Sequence, residues 1–217
     1  MADDNTLRIT EIFHSLQGEA RTVGRPTVFV RLTGCPLRCQ YCDTAYAFDG
    51  GKLLPLEGIC AEVEKYGSRL VTVTGGEPLA QPNSKALMTM LCDNGFQVSL
   101  ETSGAMPIEE VDKRVSIVLD LKTPGSQECD RNCYENLGHL KTKDQIKFVI
   151  CDRADYEWSK AKLDQLNLRN KVSEILFSPS YDQLAASELA EWVLNDALDV
   201  RVQLQLHKII WGIEPGH

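Results

Sequence analysis

The chain has 217 residues, a formal net charge of −8 at pH 7, and a composition that is 43% hydrophobic and 25% charged. This length fits one large domain with a substantial core, and the acidic balance disfavours nucleic acid as a direct substrate because a broad positive field is missing. No signal-peptide pattern opens the chain, and no apolar run approaches the ~18 residues of a membrane helix, so we expect no membrane partner. The eight cysteines then indicate a reducing, cytoplasmic setting, where clustered thiols more often serve metal binding or catalysis than disulfides.

Short apolar runs alternate with helical patterns along the whole chain. Strands buried on both faces are predicted over residues 26–34, 69–76, 96–104, 115–122, 145–152, 173–180 and 200–208. Helices are predicted from Pro55 to Gly67, from Asn83 as the capping residue to Gly95, and over residues 153–166 and 183–197. The alternation predicts a single α/β domain over residues 1–217, either an open sheet or a barrel.

Polar residues collect where the predicted strands end. They are Thr74–Pro78, Glu101–Gly104, Asp120–Ser126, Ser178–Ser180 and His207–Lys208. In barrels and open α/β sheets, ligands bind at the carboxyl ends of the strands. We therefore expect these groups to line one mouth, together with a cysteine-rich loop that follows the strand over residues 26–34.

That loop places Cys35, Cys39 and Cys42 at a C-x3-C-x2-C spacing. Three thiolates on such a loop can hold one iron–sulfur cluster and leave one iron open to chelate a small molecule through an amine and a carboxylate. The alternative is a structural zinc site with His14 or another cysteine as fourth ligand. Structural zinc sites usually pair two Cys-x2-Cys halves, and the chain has no second pair, so the spacing favours the open cluster.

Several motifs carry a resemblance to known enzymes. The segment "CPLRCQYC" resembles the cluster signature of the radical S-adenosylmethionine (SAM) superfamily, and "TGGEP" at Thr74–Pro78 resembles its second motif. The N-terminal block "EIFHSLQGEARTVGRPTVFVRLTGCPLRCQYCDTAYAF", with "TGGEPL", "LETSG" and "QLHK", is similar to the 7-carboxy-7-deazaguanine synthases of the queuosine pathway over most of the chain. The resemblance implies a partial (β/α) barrel of about six parallel strands with an N-terminal strand or hairpin extension.

The resemblance also implies an activity. Members of this family contract the ring of 6-carboxy-5,6,7,8-tetrahydropterin to 7-carboxy-7-deazaguanine with loss of ammonia, using a 4Fe–4S cluster, recycled SAM and Mg²⁺. The reaction begins when a 5′-deoxyadenosyl radical takes hydrogen from the pterin. A flavodoxin or ferredoxin reductant and a homodimer are further implied. The cofactor supplies the difficult chemistry, and the protein positions groups and excludes water.

Site residues carry over from the resemblance in four groups. The cluster ligands are Cys35, Cys39 and Cys42, and the Mg²⁺ ligand is Thr44. The residues implied for SAM are Tyr41, Cys42, Asp43, Gly76, Glu77, Asp120, Leu121, Lys122 and Ser178. The residues implied for the pterin are Leu16, Gln17, Gly18, Glu19, Arg31, Thr74, Glu101 and His207, of which His207 is also the candidate catalytic group.

Simpler interpretations exist for some of these residues. Gln17-Gly18 also fits a surface hairpin turn, and Arg31 also fits a structural ion pair. His207, at the end of the last predicted strand, also fits a purely structural histidine. Ala20 stands where the family pattern often has glycine. In some relatives the C-terminal tail closes over the substrate, and either Pro215 or the terminal carboxylate is the candidate here.

Two other functions compete with this one. A glycyl-radical-enzyme activating enzyme shares the cysteine spacing, but it needs a protein surface as substrate, whereas "LQGE" and Arg31 favour a small carboxylated pterin. An iron–sulfur electron carrier or zinc-binding interaction module would leave the "GGEP" motif without a purpose. Cys129 and Cys133 lack two further cysteines at suitable spacing for a second cluster, and we expect them to be free thiols.

Overall fold

The computed structural model describes residues 5–212, Glu214 and Gly216; Pro215 and the terminal residue His217 lie outside this set. Its frame is a nine-stranded sheet with the order β3-β1-β2-β4-β5-β6-β7-β8-β9. The strands are β1 (Thr6–Leu16), β2 (Pro26–Leu32), β3 (Lys52–Pro55), β4 (Leu70–Gly75), β5 (Gln97–Thr102), β6 (Ser116–Asp120), β7 (Gln145–Ile150), β8 (Glu174–Pro179) and β9 (Arg201–Val202). The helices are α1 (Leu56–Glu64), α2 (Ser84–Asp93), α3 (Arg153–Gln165), α4 (Ala186–Asn195) and α5 (Leu206–Trp211).

The sheet combines a parallel body with an antiparallel edge. From β2 to β9 each neighbouring pair is parallel, whereas β1 pairs antiparallel with both β2 and β3. Within the described residues β3 and β9 each have one neighbour, so the sheet is not closed. This is the partial barrel with an N-terminal hairpin that the sequence predicts, with six longer parallel strands and the two-residue β9.

The core explains why the strands are apolar along their whole length. Parallel strands have helices on one side and the barrel interior on the other, so both faces are buried. Val30, Val73, Leu100, Phe148 and Phe177 are completely buried in the centre of the sheet. The helices complete this core through the apolar faces that their sequence spacing predicts, represented by Ile59, Val63, Leu87, Leu91 and Leu189.

Local signals set most helix ends, with two differences from expectation. Gly67 and Gly95 adopt positive φ after α1 and α2, and the Asp152 side chain caps α3 by accepting from the Asp155 N–H at 2.9 Å. Pro55 is the residue before α1 rather than its first residue. The Asn83 side chain does not cap α2, because its amide nitrogen donates to the Thr6 carbonyl oxygen at 3.1 Å.

The loop between β1 and β2, residues 17–25, spans the barrel. The Arg21 N–H donates to Gln145 Oε1 at 2.9 Å, and its guanidinium donates to Ser173 Oγ at 2.6 Å. Both partners lie at the amino ends of β7 and β8, on the far side of the sheet order from β2. The sheet must therefore curl, and the β1–β2 loop forms part of its floor. Gln17 is consequently buried, so the surface-turn interpretation of Gln17-Gly18 is wrong.

The last predicted strand, residues 200–208, is the largest error in the predicted elements. Only Arg201–Val202 pair as β9, and His207 and Lys208 lie in α5. The Gln203 N–H still bonds to the Phe177 carbonyl in β8, but the Leu206 N–H donates to the Gly18 carbonyl at 2.9 Å. The backbone after Gln203 therefore leaves the sheet, and the Gly18 carbonyl in the β1–β2 loop accepts its next hydrogen bond. Among the described residues, no helix is long and apolar enough to cross a bilayer.

Candidate active site

A cavity of about 280 Å³ opens at the carboxyl ends of the parallel strands. It brings together most of the residues that the sequence singles out. Those that line it are Gln17, Glu19, Arg31, Cys35, Cys39, Tyr41, Cys42, Asp43, Thr44, Thr74, Gly76, Glu101, Asp120, Lys122, Ser178 and His207. Four candidates do not line it: Leu16, Gly18, Glu77 and Leu121.

Of these four, Glu77 has a clear structural role. Its buried carboxylate accepts from the Leu79 N–H at 2.9 Å, from Thr102 Oγ1 at 2.9 Å and from the Ser103 N–H at 2.7 Å. These bonds tie the "GGEP" turn to the end of β5. Leu121 is buried in the core.

The cysteine loop is half-buried. Burial raises the pKa of all three thiols, and that of Cys39 rises to about 11. The free thiols are therefore protonated at neutral pH, and a bound metal would displace those protons. In the part of the chain that the structure describes, no three Cys, His, Asp or Glu side chains converge closely enough to hold a single metal ion.

Residues from distant parts of the chain hold this loop. The side-chain amides of Gln40 and Gln183 form a reciprocal pair, each donating to the other at 3.0 and 2.9 Å. The Arg38 N–H donates to Glu128 Oε1 at 2.5 Å, and the Gln40 N–H donates to the Ser126 carbonyl at 3.2 Å. The loop is thus fixed by the segments that follow β6 and β8, although its own sequence is short and glycine-bounded.

The "GGEP" turn packs directly against the start of the cysteine loop. A Cβ atom on Gly76 would lie 2.2 Å from the Gly34 carbonyl oxygen and 2.8 Å from Cys35 Cβ. The Glu77 N–H also donates to that carbonyl at 2.8 Å. Because only glycine permits this approach, the two motifs form one surface.

Next to the cysteines lie buried polar atoms that have no hydrogen-bond partner among the described residues. Tyr41 OH and Asp120 Oδ1 are buried without a hydrogen bond, whereas Asp120 Oδ2 accepts from Lys122 Nζ at 2.9 Å. Burial lowers the pKa of Lys122, but Asp120 outweighs this and holds it well above its usual range. The amine of a small ligand could donate to Asp120 Oδ1, and its carboxylate would face the positively charged Lys122. The residues present therefore fit SAM beside a cluster held by the three cysteines.

The cavity is also lined by two carboxyl groups, Glu19 on the β1–β2 loop, which is buried, and Glu101 in β5, which is partly buried. Glu101 accepts from Gln17 Nε2 at 3.1 Å and from Thr74 Oγ1 at 3.3 Å. Burial and the nearby charge of Glu19 raise the pKa of Glu101. Glu19 itself accepts from Lys147 Nζ and, at 2.8 Å, from Gln205 Nε2. Burial raises the pKa of Glu19, but Lys147 outweighs burial and lowers it overall.

Arg31 projects from β2 into the cavity and is oriented by an ion pair. Its Nε donates to Glu11 Oε1 at 2.7 Å, and Tyr46 OH donates to the same oxygen at 2.8 Å. The structural ion pair that sequence reasoning weighed is thus present. Because Glu11 binds the Nε atom of Arg31, the two terminal nitrogens of the guanidinium group are not part of this ion pair.

Asp43 connects the cysteine loop to α5. Its Oδ2 pairs with Lys208 Nζ at 2.7 Å, and its Oδ1 accepts from Thr44 Oγ1 at 2.9 Å. Burial raises the pKa of Asp43, but Lys208 outweighs it and holds that pKa well below its usual range. A permanently ionised carboxylate therefore stands beside the Thr44 hydroxyl.

His207 lines the cavity from α5, not from a strand end. Burial lowers the pKa of its imidazole below 6.5, although Glu19 and Asp43 oppose the shift. The ring rests on the backbone of Gly18. Nearby, Ala20 holds the left-handed conformation, with φ of 61°, that favours the glycine common in the family pattern. The alanine holds this conformation at a cost of about 1 kcal/mol.

Sequence reasoning missed four residues of this site. They are Glu11, Tyr46, Lys147 and Gln205. Lys147 had a usable signal, because a charged residue interrupts the apolar strand "QIKFVI" just as Arg31 interrupts "PTVFVRL". The other three have no pattern of their own and depend on tertiary contacts.

Comparison with known proteins agrees with this arrangement. Residues 29–149 match the family described as the Radical SAM superfamily. That segment extends from β2 to β7 and contains the cysteine loop and the "GGEP" turn. The fold and the site thus define a radical SAM enzyme.

Curated relatives narrow the family further. The chain is 45% identical to the 7-carboxy-7-deazaguanine synthase of Koribacter versatilis, over 96% of this chain and 98% of that protein. It is 42% identical to the 7-carboxy-7-deazaguanine synthase of Chlorobaculum tepidum, over 98% and 97%. The chain belongs to the 7-carboxy-7-deazaguanine synthase family, as the sequence motifs predict.

Solved structures share the fold. The crystal structure of QueE from Escherichia coli superposes with a TM-score of 0.75 at 24% identity, over 93% of this chain and 95% of that chain. The crystal structure of archaeal TYW1 gives a TM-score of 0.59 at 15% identity, over 80% and 72%. The partial barrel is therefore confirmed as the architecture.

Proposed function

We propose that this protein is a radical SAM lyase that contracts 6-carboxy-5,6,7,8-tetrahydropterin to 7-carboxy-7-deazaguanine with loss of ammonia. The curated relatives are named for this product. The observation that carries the proposal is the cavity itself, whose lining brings the cysteine loop together with Arg31, Glu19 and Glu101. Such a cavity suits a small carboxylated heterocycle rather than a protein surface.

The cofactors would lie at the cysteine end. Cys35, Cys39 and Cys42 would hold the 4Fe–4S cluster, and Tyr41, Asp120 and Lys122 would hold the polar groups of SAM. Bound together, the cluster and SAM supply a carbon-centred radical that can remove a hydrogen atom from the substrate. The protein would orient SAM through Asp120 and Lys122. Lys122 Nζ lies 2.9 Å from Asp120 Oδ2, so Asp120 Oδ1 is left to bind the ligand. Gly76 keeps the neighbouring wall free of side-chain atoms.

The pterin would lie between charged groups of opposite sign. Arg31 would bind its carboxylate through the terminal guanidinium nitrogens, since Nε is held by Glu11. The pyrimidinone ring presents N–H donors, for which Glu19 and Glu101 are the acceptors, while Gln17 and Thr74 hold Glu101 in place by donating to it. His207 would contact the substrate as a neutral imidazole because burial lowers its pKa.

A magnesium ion would bind at Thr44. The ionised Asp43 next to it and the substrate carboxylate add the negative oxygen ligands that Mg²⁺ prefers, and waters would complete the octahedron. This composition predicts that metal and substrate bind together. We further propose a reduced flavodoxin or ferredoxin as electron donor, a homodimer, and a cytoplasmic location, on the basis of the family resemblance.

Anaerobic reconstitution tests the function. The reconstituted protein is incubated with SAM, reductant and Mg²⁺, with and without the carboxytetrahydropterin, and products are separated by mass spectrometry. The proposal expects 7-carboxy-7-deazaguanine with the pterin, no product from Cys39→Ala, and near-normal product from Cys129→Ala. Cleavage of SAM without product would favour the activating-enzyme alternative, and no cleavage at all would favour an electron carrier. An inactive but folded Cys129→Ala protein would give that thiol a role.

A further inference from the structure

Lys147 is a largely shielded cation that lines the cavity, and the proposed function assigns it no ligand. It projects from β7 and pairs with Glu19, which is 128 residues away on the β1–β2 loop. The two side chains are only 15% and 12% exposed. A buried ion pair of this kind needs further hydrogen bonds to be stable, and Gln205 Nε2 supplies one to Glu19 Oε1 at 2.8 Å.

The charges along the cavity show why this pair matters. Asp43 pairs with Lys208, and Asp120 pairs with Lys122. Glu101, in contrast, accepts from the neutral groups of Gln17 and Thr74. Its charge and that of Glu19 repel each other, and Lys147 attracts both. Lys147 therefore acts on two carboxyl groups, in direct contact with Glu19 and at longer range with Glu101.

Removal of that ammonium has a definite consequence. Two neighbouring carboxyl groups that are largely shielded from water resist ionising together, so without the ammonium the pair would hold one proton between them. A proton on either acid occupies an oxygen that would otherwise accept an N–H group of the ligand. The remaining charged or polar groups that face the two acids are Arg31 on β2, Asp120 on β6, Asp43 and Gln17 on loops, Thr74 on β4, and Gln205 and His207 beside and in α5.

We propose that Lys147 is a positioning residue for the pterin, which acts by holding Glu19 in place and by keeping Glu19 and Glu101 together as acceptors for the N–H donors of the pyrimidinone ring. The inference rests on the proposed function, since it takes the pterin as ligand. It adds a residue that determines specificity for a 2-amino-4-oxo-pyrimidine edge.

The test measures binding rather than turnover. The probe is 6-carboxypterin, a fluorescent oxidised compound with the same pyrimidinone edge and carboxylate, titrated anaerobically into reconstituted protein with SAM and Mg²⁺. We expect wild-type affinity to be flat from about pH 6 to about pH 7, below the range in which the pyrimidinone N–H of the probe ionises. Lys147→Met should weaken binding about 30-fold at pH 6, and its affinity should recover as the pH rises, because the shared proton is then lost. Lys147→Arg, which keeps the charge, should stay within about five-fold of wild type with a flat profile.

Controls separate this role from a structural one. Lys160 on α3 forms a more exposed ion pair, with its Nζ 2.7 Å from Asp196 Oδ2. Lys160→Met removes that pair and should leave binding unchanged. If Lys147→Met folds poorly, the double variant Glu19→Gln/Lys147→Met replaces it, and that protein should bind no more weakly than Glu19→Gln alone. A further loss in the double variant would overturn the proposal.

The remaining outcomes are distinct. Wild-type affinity with a flat profile in Lys147→Met would overturn the inference and leave the proposed function intact. A uniform loss in both Lys147→Met and Lys147→Arg would assign Lys147 to packing and also overturn it. Failure of the wild-type protein to bind 6-carboxypterin would overturn the proposed function, and the inference with it.

Discussion

Gly18 lies so close to His207 that a Cβ atom on residue 18 would be 2.0 Å from the imidazole Nδ1. The Gly18 carbonyl also accepts from the Leu206 N–H at 2.9 Å, so the β1–β2 loop and α5 meet at this point. The loop carries Gln17 and Glu19, and α5 carries His207. The contact therefore fixes two walls of the proposed pterin site relative to each other.

Gly18→Ala should disturb that geometry without unfolding the protein. The new methyl group must displace the His207 ring, because no imidazole can remain 2.0 Å from a carbon atom. We expect kcat/KM for the pterin to fall about 10- to 100-fold, with cluster content and the unfolding midpoint close to wild type. Gly138→Ala is the matched control, since no atom of the described residues lies within 4 Å of its Cβ position. An unchanged kcat/KM in Gly18→Ala would show that His207 and the loop are not coupled.

Glu11→Gln tests the orientation of Arg31. The substitution keeps the shape of the side chain but weakens the 2.7 Å bond to the guanidinium Nε and the bond from Tyr46. Arg31 should then sample other positions, and KM for the carboxylated pterin should rise about 10-fold with a smaller change in kcat. Glu62→Gln, which removes an exposed pair with Lys65, should leave both constants unchanged. Equal kinetics in the two variants would mean that Glu11 does not position Arg31.

Gln183→Ala tests the support of the cysteine loop. Loss of the reciprocal amide pair with Gln40 removes a tether between the loop and the segment after β8. We expect the reconstituted cluster of this variant to bleach several-fold faster than that of the wild type in the presence of an iron chelator. The visible absorbance of the cluster measures the rate. Gln165→Ala, at the end of α3, is the surface control. Identical bleaching rates in both variants would show that the tether has no part in holding the loop.

The protonation of His207 gives a pH-dependent prediction. Burial lowers its folded-state pKa below 6.5, so the folded protein releases this proton more readily than the unfolded chain. The stability from this group is complete above about pH 6.5 and declines as the pH falls below that value. An NMR titration of labelled histidine in cluster-free protein, with His207→Asn for assignment, should place the midpoint below 6.5. A midpoint above 6.5 would contradict the burial of a neutral ring.

Local motifs were sufficient to predict the parts of the site that lie close together in sequence. Cys35, Cys39 and Cys42 are seven positions apart in total, and their spacing alone indicates a shared site. The strand-end residues were also predicted, because parallel strands bring their carboxyl ends together whatever their separation along the chain. Thr74, Glu101 and Asp120 meet at one cavity for that reason.

Tertiary contacts account for the errors. The alternating segment "VRVQLQLHK" predicts a strand, yet only Arg201–Val202 pair, because the backbone beyond them bonds to the β1–β2 loop. No sequence pattern predicts the hydrogen bonds between the side chains of Gln40 and Gln183, which are 143 residues apart. Lys147 was within reach, since a charged residue in a buried strand requires a partner, but its partner Glu19 could not be identified without the curl of the sheet.

The ratio of product to consumed SAM distinguishes ring contraction from unproductive cleavage of SAM. Reconstituted enzyme is supplied with excess carboxytetrahydropterin, limiting SAM, Mg²⁺ and reductant under anaerobic conditions, and 7-carboxy-7-deazaguanine, ammonia and SAM are quantified together. We expect equal amounts of 7-carboxy-7-deazaguanine and ammonia, both in large excess over the SAM consumed. Consumption of SAM with no 7-carboxy-7-deazaguanine would contradict this expectation.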